Sequence, residues 1–109
     1  MTEKRRYPRY TCSGGADIHI LETPINAWGN IGDLSRGGVY VEIAETLPLG
    51  SKVEVRVEVQ DIAVHATGTI VTCHPGVGVG VTFTQLDEQN RADLGKIMQD
   101  LESVSQVTS

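Results

Sequence analysis

The chain has 109 residues, a formal net charge of −5 and 39% apolar residues, which suits one folded domain that buries roughly two-thirds of its unfolded surface. No run approaches the ~20 apolar residues of a membrane-spanning helix. The N-terminus is basic but lacks the apolar core of a secretory leader, so the chain reads as a mature, cytoplasmic protein.

The first element is "KRRYPRY", residues 4 to 10. Glu3 against Lys4, Arg5, Arg6 and Arg9 leaves the first nine residues at +3 and the remainder at −8. An acidic body repels the continuous phosphate lattice of DNA or RNA, so nucleic-acid binding is disfavoured. A small anion held at the basic end meets no such repulsion. Residues 1–10 carry no alternating apolar run, so this segment is expected to sample many conformations until a ligand orders it.

A series of half-buried strands follows. "ADIHI" (16–20) alternates, with Ala16, Ile18 and Ile20 on one face. "WGNIGDL" (28–34) reads as a second strand, and "GDLSRGG" (32–38) as the turn joining it to "GGVYVEI" (37–43). "KVEVRVEV" (52–59) sets four valines against Glu54, Arg56 and Glu58. Gln60-Asp61 links it tightly to "IAVHATGTI" (62–70). In "PGVGVGVTF" (75–83), Val77, Val79, Val81 and Phe83 share one face, and the glycines on the other mark close backbone approach or sharp curvature. The run is not a GxGxxG followed by a helix, so no dinucleotide fingerprint is present. The period then changes: Asp87 caps a helix predicted over about 87–102, with Leu94, Ile97, Met98 and Leu101 in one apolar stripe. Residues 104–109 form a fraying tail. Together these elements predict an all-β fold, a small six-stranded antiparallel β-barrel with a C-terminal α-helix, spanning 11–103 behind the N-terminal segment 1–10.

Catalytic machinery is absent from this pattern. His19, His65 and His74 fall on different strands or their ends without metal-site spacing, and Ser35 lacks the context of a nucleophile elbow. Cys12 and Cys73 read as idle thiols. The chain is not expected to be an enzyme, nor to hold a metal or cofactor.

Two stretches complement each other chemically. The arginines of "KRRYPRY" offer guanidinium forks for phosphate and for the O6/N7 edge of guanine. "GDLSRGG" offers a carboxylate for guanine N–H donors, a hydroxyl, and glycines that let a flat base approach the backbone.

In this combination the sequence resembles the PilZ domain family, bacterial receptors for cyclic dimeric guanosine monophosphate (cyclic di-GMP). That family carries a basic residue and Arg-x-x-x-Arg, followed by Asp/Asn-x-Ser-x-x-Gly. Lys4, Arg5 and Arg9 fill the first motif; Asp33, Ser35 and Gly38 fill the second. The resemblance covers nearly the whole chain. It implies that Arg5 and Arg9 grip phosphates and guanine edges, that Asp33 and Ser35 meet them from the barrel, and that Gly38 leaves room. Pro8 would stiffen the clamp, Arg36 would add a phosphate contact, and Arg6 would be an extra charge outside the motif register. Lys4, a basic residue before the first motif arginine, implies two stacked ligands rather than one. The resemblance further implies signalling to a downstream protein not identified by the sequence. Two rival readings are a PilZ-like interaction module without ligand and a small barrel for single-stranded nucleic acid.

Overall fold

The structure, a computed structural model, describes residues 7–107. Lys4, Arg5 and Arg6 lie outside the described residues. Among the described residues there are six antiparallel strands: β1 (Gly15–Ile20), β2 (Asn26–Ser35), β3 (Gly38–Glu42), β4 (Lys52–Val59), β5 (Ile62–His74) and β6 (Gly78–Gln85). They close into a barrel in the order β1-β2-β3-β6-β5-β4, and the helix α1 (Glu88–Val107) lies against β5. The all-β barrel with one C-terminal helix is thus the fold that the strand periodicity predicts.

The alternation is cleanest in β4, where Val53, Val55, Val57 and Val59 point inward and are buried. They meet Ile18 of β1, Val64 and Ile70 of β5 and Val41 of β3 in one core. Burying each such side chain stabilises the fold by about 1.5–3 kcal/mol. Gln60 and Asp61 both take positive φ, 52° and 69°. That is the backbone of a two-residue hairpin whose twist matches its strands.

Two segments differ from the sequence reading. β5 is longer than 62–70 and runs to His74, while β6 starts only at Gly78. Between them the amide of Val77 donates to the carbonyl of His74 at 2.9 Å. Pro75 and Gly76 occupy the two central positions, Gly76 with φ +77°, an arrangement suited to a type II turn. Val77 is therefore exposed in the turn instead of sharing the inward face of Val79 and Val81. The helix also continues past 102 to Val107, because Ser103–Gln106 contains no glycine or proline to stop it.

At its start, α1 is capped as expected. The Asn90 amide donates to Asp87 Oδ1 at 2.8 Å, and the Asn90 side chain donates to the same oxygen at 2.9 Å. Asn90 Oδ1 in turn accepts the His65 amide of β5 at 2.9 Å, tying helix to barrel. Leu94, Ile97 and Met98 are buried and Leu101 is partly so. The bonds from Asn90 hold the Asp87 carboxyl below its ordinary value. A carboxyl with a lowered folded value contributes stability that is full above the unfolded value of ~3.9 and disappears as the pH falls through the lowered one. Thermal melts of Asp87→Ala against the parent should therefore differ at pH 7 and converge as the pH falls through the lowered carboxyl value. A constant difference across that range would show that the carboxylate is not the stabilising group.

Candidate functional site

The site begins where β2 outruns β1. Their pairing ends at Asn30 opposite Gly15, with one further bond from the Ile31 amide to Gly14 O. Past that point the open side of β2 is taken by the entering chain. The Tyr10 amide donates to Leu34 O and the Leu34 amide donates to Tyr10 O, both at 2.9 Å. Tyr7 lies against Gly37, where a Cβ would fall 2.8 Å from the Tyr7 ring. Residues 7–10 are therefore seated on the barrel by a backbone bridge and a ring contact, contrary to the expectation that nothing anchors this segment.

A second feature aims Asp33. Ala27, Gly29 and Ile31 face inward in strict alternation, so Asp33 would be the next inward residue. A register shift between Ile31 and Asp33 against β3 changes the parity. Leu34 takes the inward position and is fully buried, while Asp33 turns to the outside, opposite Tyr40. Bulges re-aim side chains in this way.

The result is a close set of polar groups. Arg9 Nη1 stands 3.6 Å from Asp33 Oδ1, with both side chains partly exposed. That separation exceeds a hydrogen bond, and Asp33 Oδ1 is buried with no hydrogen-bond partner among the described residues. A buried carboxylate oxygen in that state is an acceptor in want of a donor. Ser35 is buried, and its Oγ accepts the Gly37 amide at 3.0 Å and donates to Gly38 O at 3.4 Å. Its hydroxyl shapes the β2–β3 turn. Gly38 faces β6, where a Cβ would fall 2.3 Å from Val81 O. It leaves room for the neighbouring strand, a contact that the motif alone does not reveal.

Arg9, Asp33, Ser35 and Gly38 border one open cleft of about 1230 Å³ that also takes in Tyr40 and His74. Arg36 is not brought into it. Its guanidinium reaches the helix and pairs with Glu102 at 3.1 Å. Tyr7, Tyr40, Val71, His74 and Phe83 line the cleft without having been singled out as site residues. The signal for Tyr40 was its outward place in "GGVYVEI"; Val71 had none, because a register shift beside it sets its direction. Burial and the Asp33 charge push the Cys12 thiol above its ordinary value, which keeps it protonated and unreactive at neutral pH. A smaller groove of about 470 Å³ on the β1/β4/β5 face is bordered by Asp17, Glu54 and Asp87 with Arg56 as its lone arginine. Its carboxylates are unsuited to an anion.

Comparison with curated proteins gives no match. Among solved structures, the chain is similar to the PilZ domain of Escherichia coli YcgR with c-di-GMP (TM-score 0.75, 15% identity, 97% of each chain covered). It is also similar to the PilZ domain of CeSA from a cellulose-synthesizing bacterium (TM-score 0.69, 20% identity, covering 87% of this chain and 98% of that one). The K. pneumonia MrkH–c-di-GMP complex matches with a TM-score of 0.80 and 13% identity, over 99% of this chain and 57% of MrkH. At such identities the likeness is one of fold. The sequence itself matches the PilZ domain over residues 3–100, and with that coverage the chain belongs to the PilZ domain family.

Proposed function

We propose that this protein is a receptor for cyclic di-GMP that binds the dinucleotide in the cleft between the Arg9 segment and β2. The observation that carries the proposal is Arg9 beside Asp33, whose buried Oδ1 has no hydrogen-bond donor among the described residues. A guanine base presents N1–H and N2–H₂ donors to such an acceptor, while its O6/N7 edge and the phosphates suit the guanidinium. Lys4 and Arg5 complete the grip from the preceding residues, and the Ser35 turn holds Asp33 in place. Two stacked ligands are the stoichiometry that the basic Lys4 before Arg5 supports, and the open cleft of about 1230 Å³ leaves space for them. The complex then offers an unidentified partner protein a surface that the free chain lacks, without catalysis. Two free, half-buried thiols suit the reducing cytoplasm.

Calorimetric titration with cyclic di-GMP, cyclic di-AMP and a short single-stranded oligonucleotide tests this. Cyclic di-GMP should bind at least tenfold more tightly than cyclic di-AMP, which lacks O6 and presents an amino donor to the guanidinium; one bidentate pair is worth about 1–3 kcal/mol of discrimination. Equal affinities would reject guanine recognition. Binding of neither dinucleotide would leave an interaction module, and preference for the oligonucleotide a nucleic-acid barrel.

A further inference from the structure

Tyr40 and His74 make a second polar feature of the cleft, distinct from the two motifs. Tyr40 Oη and His74 Nδ1 are 2.9 Å apart, and the rings are tilted by 46° with centroids 5.9 Å apart. The Tyr40 ring has a prepared seat. A Cβ at Gly78 would fall 2.7 Å from Tyr40 Cε2, so only glycine there admits the ring. Both side chains border the same cleft as Arg9, Asp33 and Ser35, and Tyr40 sits directly across from Asp33 in the β2–β3 pairing. Burial, then Cys73, Glu42 and Asp33, push the Tyr40 phenol above its ordinary value, so it stays neutral at any ordinary pH. The bond to Tyr40 uses Nδ1 and leaves His74 Nε2 with no protein partner among the described residues.

We infer that the Tyr40–His74 pair is a further ligand-recognition element of this cleft, in which His74, oriented by Tyr40, donates from Nε2 to the phosphodiester of a bound dinucleotide. The inference rests on the cyclic di-GMP reading and adds a contact that neither family motif contains. Tyr40 fixes the ring, so the donor direction is set before the ligand arrives and little rotamer freedom is lost on binding. With the Tyr40 hydroxyl donating to Nδ1, the tautomer that remains carries its N–H at Nε2, where it can be given to a phosphate oxygen. The other two histidines border the distant groove beside Asp87.

The test is calorimetric titration of the full chain with cyclic di-GMP at one fixed pH, for the parent, His74→Ala, Tyr40→Phe and the double variant, with His65→Ala as a control on the other groove. His74→Ala should bind about five- to tenfold more weakly than the parent. Tyr40→Phe should lose less, because the His74 donor remains but is no longer oriented, and should add no further loss in the His74→Ala background. Parent-like affinity of His74→Ala, or losses at the two positions that simply add, overturns the role of the pair while leaving the receptor reading intact. No binding by the parent or any variant overturns both.

Discussion

Arg9→Ala is expected to abolish detectable cyclic di-GMP binding while moving the thermal midpoint by no more than a few degrees. Arg9 and Asp33 are both partly exposed and 3.6 Å apart, and such surface pairs contribute about 0–1 kcal/mol to stability. Binding asks far more of the same guanidinium. It is the one arginine or lysine among the described residues that border the cleft, and removing it leaves Asp33 beside a dianion without its nearest guanidinium. Arg9→Lys should also be severe, since an ammonium reproduces the charge without the planar fork that meets phosphate or guanine bidentately. Among the preceding residues, Arg5→Ala should be as damaging as Arg9→Ala, and Arg6→Ala milder. Equal losses at Arg5 and Arg6 with Arg9 dispensable would shift the motif register and displace Arg9 from the site. Isothermal calorimetry beside thermal melts separates the two effects.

Leu34→Ala should have the opposite profile. Leu34 is fully buried between the two motif residues Asp33 and Ser35, and a Leu→Ala change in a packed core costs about 2–5 kcal/mol. Domains of this size have some 5–15 kcal/mol in total, so the midpoint should fall by ~10 °C or more. The backbone bonds of Leu34 to Tyr10 need no side chain and should survive. Below its midpoint, the variant should therefore still bind. Urea denaturation gives the loss, with Val71→Ala, more than half exposed, as a control expected to change stability by less than about 0.5 kcal/mol. A Leu34→Ala loss below 1 kcal/mol would mean that the inward direction assigned to Leu34 is wrong.

Much of the barrel was legible because period-two alternation follows directly from strand geometry. The valines of β4 and the stripe on α1 stand where the pattern put them. Alternation fails where one residue is added. From Ala27, Gly29 and Ile31 the pattern points Asp33 inward, and only the register shift turns it outside; no residue type between Gly32 and Asp33 announces it. The same holds beyond Ile70, where Val71 turns into the cleft. Pro75-Gly76 was a turn signal in plain view, but the glycine-valine repeat after it carried the strand assignment too far towards the N-terminus. The site was half legible. Asp33 and Ser35 could be paired with the arginines on chemistry, whereas the seating of Tyr10 on Leu34 depends on β2 outrunning β1, a difference in strand length that single strands do not encode. Arg36 had the right chemistry for a phosphate, yet a helix residue 66 positions away holds it.

Closure of the barrel limits how another chain can dock on this protein. Six strands in the order β1-β2-β3-β6-β5-β4 return on themselves, so each strand spends its backbone groups on its neighbours, and the exposed length of β2 is met at Leu34 by Tyr10. Open sheet edges are the places where another chain adds a strand, whether in recognition or in aggregation. A closed wall denies that route. A partner of the proposed receptor would therefore have to read side chains rather than add a strand, so that whatever it senses of the cleft would be chemical rather than architectural.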